Sequence, residues 1–198
     1  MTTIHDIMQV GVGMPDLEKF ENFARDMLGF PATRSPNGEV TYVRPDRYQH
    51  RIAARTAPKP VLNYIGFDVG NAQGLAEWKM KLTTEGIDWR HSRPEECAER
   101  HVNDFIEFKD PDGHPLALSY GFEVDKEPVR YTRDLRVLGL GHVLLTVEDT
   151  RRSHDFYTRV LGFRLSDWVY VDDNIRLCFL RCNERHHSIA FAPCMPGK

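Results

Sequence analysis

Apolar and polar residues recur with two periods along the chain, and the change from one period to the other marks its first unit. Residues 6–12 alternate, as in a half-buried strand, and helical spacing then continues to a stop at Gly29. Short strands are predicted at 39–43 and 51–54, after a turn at Pro36-Asn37-Gly38. The predicted apolar helix face consists of Leu17, Phe20, Phe23, Ala24 and Met27. The pattern therefore predicts a β-α-β-β-β unit.

The same order of elements follows between residues 61 and 120. A strand at 61–69 precedes a helix at 71–85, whose inner face carries Leu75, Trp78 and Leu82. Two further strands, at 104–108 and 115–120, are joined by Asp-Pro-Asp-Gly, a hairpin loop in which glycine supplies the positive φ. This stretch is predicted to be a second β-α-β-β-β unit.

A polar stretch at 123–134 separates the second unit from a third, which begins at Leu138. The helix of the third unit is predicted at 150–161. Its later strands are expected at 163–171, 175–182 and 186–192, with Asn-Glu-Arg at 183–185 connecting the last two.

The third unit duplicates the first. A shift of 133 positions, without a gap, places Leu28-Gly29-Phe30 on Leu161-Gly162-Phe163. Three further pairs are identical at that shift: Val10 with Val143, Asp16 with Asp149, and Phe23 with Phe156. His142 meets Gln9, so one copy carries an imidazole where the other carries an amide. This difference directs the search for function to His142.

The order of the units predicts a domain organisation. Residues 1–122 hold a pair of units, 123–135 a linker, and 136–198 the first unit of a second pair. A half-repeat leaves a sheet edge and an apolar face uncovered, which native proteins avoid. We therefore expect the chain to be a fragment or to continue outside this sequence; the alternative is a partner chain that supplies the missing unit.

Composition narrows the class of protein. The net charge of −3 and the pI of about 6.3 do not indicate nucleic-acid binding. The sequence contains neither an apolar run of the roughly 20 residues that a membrane span needs nor a signal-peptide pattern, so a cytoplasmic protein is expected. The four cysteines, at 97, 178, 182 and 194, form no C-x-x-C motif and are interpreted as reduced thiols.

Three motifs carry a resemblance to a known family. They are Gly-His-Val at 141–143, Phe-Tyr-x-x-Val-Leu-Gly-Phe at 156–163, and Cys-Asn-Glu-Arg-His-His at 182–187. With the paired units, they make the chain similar to the vicinal oxygen chelate superfamily. Within it, the chain resembles the type I extradiol dioxygenases, such as the 2,3-dihydroxybiphenyl 1,2-dioxygenases. The implied fold is α+β, with paired β-α-β-β-β modules in two pseudo-duplicated domains, of which the second is truncated.

The resemblance implies a metal centre of two histidines and one glutamate that holds Fe(II), or less often Mn(II). His142 matches the first histidine, and the other two ligands are expected beyond Lys198. The corresponding positions of the first repeat are Gln9, Tyr64 and Ser119, so that repeat is expected to bind no metal. The alternative for His142 is a strand histidine that faces solvent or a polar neighbour.

The resemblance also assigns His187 as the acid–base group, and Leu144 and Phe179 as pocket-lining residues that bind substrate. Strand alternation places Leu144 on the face of His142, and predicts that His186 and His187 point to opposite faces. Arg185 and its neighbour at 184 are expected in a solvated turn. The alternatives are a surface hairpin position for His187 and ordinary core packing for the two apolar residues.

The implied function is extradiol cleavage of a catechol-type aromatic by O2, within the degradation of aromatic compounds. The implied partners are a small aromatic diol and O2, and the resemblance also implies a homo-oligomer. Two other functions stay open: a non-catalytic small-molecule-binding protein of the same superfamily, and another metal-dependent member such as a glyoxalase or an epimerase. His187 argues against both, because those groups lack it.

Overall fold

The first unit contains the predicted elements. The computed structural model describes residues 2–171 and 176–194 of the chain. In the first unit, the elements are β1 (Asp6–Met14), α1 (Leu17–Asn22), β2 (Ala32–Arg34), β3 (Val40–Val43) and β4 (Ile52–Thr56). Helix α1 begins where Asp16 accepts a hydrogen bond from the backbone N–H of Lys19, as an N-cap residue does.

The first helix departs from regular α geometry, and this changes its buried face. A π-helical turn covers Phe23–Met27, and the backbone N–H of Leu28 bonds to the carbonyl of Phe23. The wider turn rotates the later side chains away from the sheet. Phe23 is 49% exposed and Met27 63% exposed, while Leu17 and Ala24 are buried. The predicted apolar face was therefore wrong at Phe23 and Met27.

The second unit has one more helix than the sequence pattern predicted. Its elements are β5 (Val61–Asp68), α2 (Ala72–Thr84), β6 (Trp89–His91), α3 (Pro94–Arg100), β7 (Asp104–Lys109) and β8 (Pro115–Tyr120). The predicted inner face of α2 is confirmed, since Leu75, Trp78 and Leu82 are all buried. Helix α3 and strand β6 lie in the stretch 87–103, for which no element was predicted.

The third unit repeats the first. It consists of β9 (Val143–Val147), α4 (Thr150–Arg159), β10 (Arg164–Tyr170), β11 (Arg176–Arg181) and β12 (Ile189–Pro193). The predicted last strand begins three residues too early, so 186–188 belong to the preceding loop. The predicted start of the strand before it, at residue 175, lies outside the described residues.

Strand order shows the duplication directly. The first two units form one eight-stranded sheet, in the order β2-β3-β4-β1-β5-β8-β7-β6, whose halves mirror each other. The third unit forms a four-stranded sheet in the order β10-β11-β12-β9, which matches β2-β3-β4-β1. In both, the first and last strands of the unit pair in parallel. The predicted α+β fold of β-α-β-β-β modules is confirmed.

The two sheets share one hydrophobic core. Helix residue Tyr157 packs on Phe163 and Phe191, and Phe163 in turn meets Phe67 of the first sheet with ring centroids 5.7 Å apart. All four rings are essentially buried. The third unit is thus packed against the first pair of units through apolar contacts.

The Asp-Pro-Asp-Gly hairpin between β7 and β8 also joins the two sheets. Asp110 is buried and accepts a hydrogen bond from the Tyr157 hydroxyl at 3.1 Å. Asp112 accepts from the backbone N–H of Glu148 at 2.7 Å and from the Ser153 hydroxyl at 3.1 Å. This hairpin, predicted only as a turn, binds the N-terminal end of α4.

The predicted linker is attached to the first unit along its length. Asp125 forms an ion pair with Arg44 at 2.9 Å, and the Tyr131 hydroxyl donates to the Pro45 carbonyl at 2.7 Å. None of the helices in the described part of the chain has the length and apolar character needed to cross a membrane.

Candidate metal centre and acid–base site

His142 lies directly before β9, on the open face of the four-stranded sheet. Burial alternates along that strand: Leu145 and Val147 are buried against α4, while Leu144 is 51% exposed. His142 is exposed on the same side as Leu144, as strand alternation predicts. Leu144 is therefore not a core residue, and both side chains lie on the exposed face of the sheet.

His187 lies against His142. Their ring centroids are 4.3 Å apart, although the two residues come from different segments of the chain. The pairing follows from topology, because β12 runs parallel to β9 and Ile189 is in register with Val143. Phe179 of β11 presents its ring to His187 in an edge-on arrangement at 5.0 Å. We call His142, Phe179 and His187 the histidine site.

His186 also belongs to this surface, contrary to the prediction from alternation. Both histidines lie in the loop before β12, where strand geometry does not apply. The Nδ1 atoms of His186 and His187 are 2.9 Å apart, so one ring donates a hydrogen bond to the other. His186 is exposed, whereas His187 is half-buried. The contact occupies Nδ1 of His187, and its Nε2 is left for a ligand.

The surroundings favour the neutral form of His187. Burial lowers the pKa of its imidazole below the usual value, and the neighbouring His142 and His186 act in the same direction. A neutral imidazole has a lone pair that can accept a proton at neutral pH. The geometry therefore allows His187 to act as a base.

Arg185 is not the solvated turn residue that the sequence suggested. Its Nη1 donates to the Leu140 carbonyl at 2.8 Å, and its guanidinium forms an ion pair with Asp6 at the start of β1. Glu184 beside it is exposed, as expected. Sequence reasoning missed Arg185 because its partners lie 45 and about 180 positions away.

The donors of the histidine site fit one ligand of the implied metal centre. In the ranges 2–171 and 176–194, no group of three or more histidine, cysteine, aspartate or glutamate side chains is placed to hold a metal ion. His142 offers an exposed imidazole of the type that binds iron in two-histidine, one-carboxylate centres. The two further ligands, expected beyond Lys198, stay a prediction.

Strand register identifies the first-repeat counterparts of the histidine site. Val10 pairs with Ile52 as Val143 pairs with Ile189, so His187 corresponds to His50. By the same reasoning, Phe179 opposite Ala190 corresponds to Tyr42 opposite Ala53. The Tyr42 and His50 rings are 4.8 Å apart, close to the 5.0 Å between Phe179 and His187.

Helix α3 contacts the first-repeat counterparts of the histidine site. Gln9, at the position of His142, donates through Nε2 to the Arg100 carbonyl at 2.8 Å. The Tyr42 hydroxyl donates to the Glu99 carbonyl at 2.9 Å. The Arg100 guanidinium lies 3.7 Å from the ring centre of Tyr64, the predicted counterpart of the second ligand. Residues at the end of α3 thus contact the side chains whose counterparts form the histidine site.

The comparisons with known proteins agree with this fold. Residues 139–198 match the model of the Glyoxalase/Bleomycin resistance protein/Dioxygenase superfamily. A 3-methylcatechol 2,3-dioxygenase of Pseudomonas putida is 32% identical over 98% of this chain and 70% of its own length. A biphenyl-2,3-diol 1,2-dioxygenase of Metapseudomonas furukawaii is 33% identical over 96% of this chain and 66% of its own length.

Solved structures of catechol dioxygenases are also similar to this chain. A crystal structure described as a halotolerant catechol dioxygenase superposes with a TM-score of 0.91, at 28% identity over 98% of this chain and 66% of that one. A crystal structure of catechol 2,3-dioxygenase superposes with a TM-score of 0.88, at 27% identity over 96% of this chain and 67% of that one. The chain thus spans about two thirds of the length of these relatives and belongs to the extradiol dioxygenases of this superfamily.

Proposed function

We propose that the protein cleaves a catechol-type ring beside its two hydroxyl groups, with O2 as co-substrate and Fe(II) as the metal. The observation that carries the proposal is the histidine site: His142 and His187 with ring centroids 4.3 Å apart on an open sheet face, beside Phe179. Relatives whose names specify catechol and biphenyl-diol ring cleavage support the substrate class. A relative named iron-dependent extradiol dioxygenase, from Rhodococcus jostii, supports iron, and a solved Mn(II)-bound glyoxalase leaves manganese as the alternative.

In this proposal, His142 is one of the metal ligands, with a second histidine and a glutamate from outside the described residues. A metal bound by these ligands would supply the positive charge that lowers the pKa of a catechol hydroxyl.

His187 is the proton-handling residue of the proposal. Its neutral imidazole accepts a proton from a catechol hydroxyl through Nε2, since Nδ1 is already in contact with His186. The hydrogen bond at Nδ1 holds the ring at a fixed angle. After ring opening, the imidazolium can return its proton to the product.

Phe179 and Leu144 have positioning roles in the proposal. The Phe179 ring, at 5.0 Å from His187, limits the rotation of that imidazole. Leu144, 51% exposed beside His142, offers an apolar surface for the flat face of an aromatic substrate.

The test is ring opening by the protein expressed from its full coding sequence. The protein is loaded anaerobically with Fe(II), mixed with 3-methylcatechol or 2,3-dihydroxybiphenyl, and then exposed to air. We expect one O2 to be consumed per diol and a yellow ring-opened product to form. Tight binding of these diols without O2 uptake would instead favour a non-catalytic binding protein. The homo-oligomer implied by the resemblance and the cytoplasmic location expected from the sequence remain predictions.

A further inference from the structure

The loop that carries His187 is fastened to the first strand of the chain. Asn183 donates through Nδ2 to the His5 carbonyl and to Oδ1 of Asp6, both at 3.1 Å. Asp6 begins β1, in the pair of units that does not contain the histidine site. The loop between β11 and β12 is thus held by a different sheet from the one to which it belongs.

Arg185 connects this anchor to both histidines. Its guanidinium forms the ion pair with Asp6, while Nη1 donates to the carbonyl of Leu140, two residues before His142. Its backbone N–H donates to Oδ1 of Asn183 at 3.1 Å. One side chain therefore contacts the first strand, the segment that leads into His142, and the loop that leads into His187.

The network is built for position rather than for stability. The Asp6 and Arg185 side chains are 34% and 36% exposed, and ion pairs with that exposure contribute little to folding. A guanidinium, however, directs its donors in a rigid planar fork and can hold several acceptors at set distances. Catalytic groups are sensitive to such placement, because a shift of about 1 Å can cost about a hundredfold in rate.

We propose that Arg185 and Asp6 are positioning residues that set the separation between His142 and His187. The first pair of units would then take part in the reaction without supplying a ligand, by holding the two segments of the histidine site in register. This inference rests on the proposed function for its effect on rate. Its structural part can be tested without the reaction.

The test compares Arg185→Gln and Asp6→Asn with the wild type. The control is Arg34→Gln, because Arg34 is also 36% exposed and pairs with Glu21 at 2.9 Å, far from the site. Amide hydrogen exchange is measured in the metal-free protein at Val143, Arg185 and Ser188. Ring signals of ¹⁵N-labelled histidines report the His142–His187 contact in the same samples.

We expect hydrogen exchange at those three amides to become faster by about tenfold in both Arg185→Gln and Asp6→Asn, as local opening becomes easier. We also expect the signals of His142 and His187 to move. The double variant should show less than the sum of the two single changes, because the two residues share one ion pair. The control should leave exchange and signals as in the wild type. Additive effects, or unchanged exchange and unmoved signals in Arg185→Gln, would overturn the proposal.

The kinetic part of the test uses the iron-loaded protein. We expect Arg185→Gln to lower kcat by about tenfold to a hundredfold with a much smaller change in KM, as for a misplaced catalytic group. Arg185→Lys keeps the charge but lacks the planar fork, so it should recover only part of the rate. Full recovery by lysine would show that charge alone matters and would contradict a positioning role. If the wild type cleaves no catechol, the proposed function fails. The hydrogen exchange and the histidine ring signals would still test whether Arg185 and Asp6 position the two histidines.

Discussion

His50, the first-repeat counterpart of His187, should make folding stability depend on pH in a way that a substitution removes. His50 is fully buried, with its ring 4.8 Å from that of Tyr42 and 5.7 Å from that of His101. In the described structure, neither of its ring nitrogens has a hydrogen-bond partner. Burial lowers the pKa of His50 to about 3, and the positive charges of His101, Arg100 and Arg51 act in the same direction.

The sign and size of the effect follow from linkage. In the unfolded chain a histidine has a pKa of about 6.5, so below that pH the unfolded state binds a proton that the folded state excludes. Above about pH 6.5 the ring is neutral in both states and stability does not depend on its titration, whereas stability is lost as the pH falls from about 6.5 towards about 3. Each pH unit in that window costs about 1.4 kcal/mol, which gives a loss of about 2 kcal/mol between pH 7 and pH 5.

The assay is denaturant unfolding of the wild type and of His50→Phe at pH 7, 6 and 5. Other groups titrate in the same window, so the difference between the two proteins is the informative quantity. We expect the free energy of unfolding of the wild type to fall by about 2 kcal/mol more than that of His50→Phe. Tyr42→Phe is a matched control, because it removes the hydroxyl bond to the Glu99 carbonyl and keeps the imidazole. It should lower stability equally at all three values of pH. An equal loss of stability between pH 7 and pH 5 in wild type and His50→Phe would contradict a lowered pKa for buried His50.

Three further predictions concern the acid–base role of His187, the hydrogen bond between Asp110 and Tyr157, and the close approach of Gly11 to Tyr64. His187→Ala should retain iron but lose turnover by about 10²–10⁴-fold, as measured by O2 uptake, and an unchanged rate would remove His187 from the mechanism. Asp110→Ala should lower the free energy of unfolding by about 2–4 kcal/mol, because the buried Tyr157 hydroxyl loses its acceptor at 3.1 Å; a change below about 0.5 kcal/mol would contradict this account. Gly11→Ala should lower the free energy of unfolding by about 1–3 kcal/mol, because an added Cβ would lie 2.2 Å from the Tyr64 ring. Wild-type stability of this variant would show that the ring can move aside.

A matched control for the glycine prediction lies in the third unit. An added Cβ at Gly141 would meet no atom within 4 Å, and Gly141 has no positive φ. Gly141→Ala should therefore leave the free energy of unfolding within about 0.5 kcal/mol of the wild type. A large loss there would indicate that the cost at Gly11 does not come from the clash with Tyr64.

Much of the fold could be predicted from periodicity, since apolar spacing reports which face of an element is buried. The inner face of α2 and the alternation along β9 are as expected, because the core decides both. Helix α3 was missed because Pro94–Arg100 is mostly charged and buries only Cys97. Its contacts with the first unit are polar and are made by Glu99 and Arg100 at its end, so they leave no amphipathic period in the sequence.

The site was only partly predictable, for a related reason. The identities of His142 and His187 came from motifs, while their contact depends on the parallel pairing of β9 and β12. The correspondence of His50 with His187 was invisible at a shift of 133 positions, because register relates β12 to β4 at a shift of 137. The third unit contains extra residues before β12, and these increase the shift from 133 positions at β9 to 137 at β12. Similarly, Arg185 could be assigned a partner only once β1 was placed beside its loop.

We expect the histidine site to bind the metal and its first-repeat counterpart, which α3 contacts, to bind none. His142→Ala and Gln9→Ala change corresponding positions of the two repeats, so they form a matched pair. The measurement is the stoichiometry of anaerobically bound Fe(II), together with O2 uptake on 3-methylcatechol, in the protein expressed from its full coding sequence. We predict that His142→Ala loses both iron and turnover, and that Gln9→Ala retains both. Retention of iron and turnover by His142→Ala, or loss of iron by Gln9→Ala, would contradict the account.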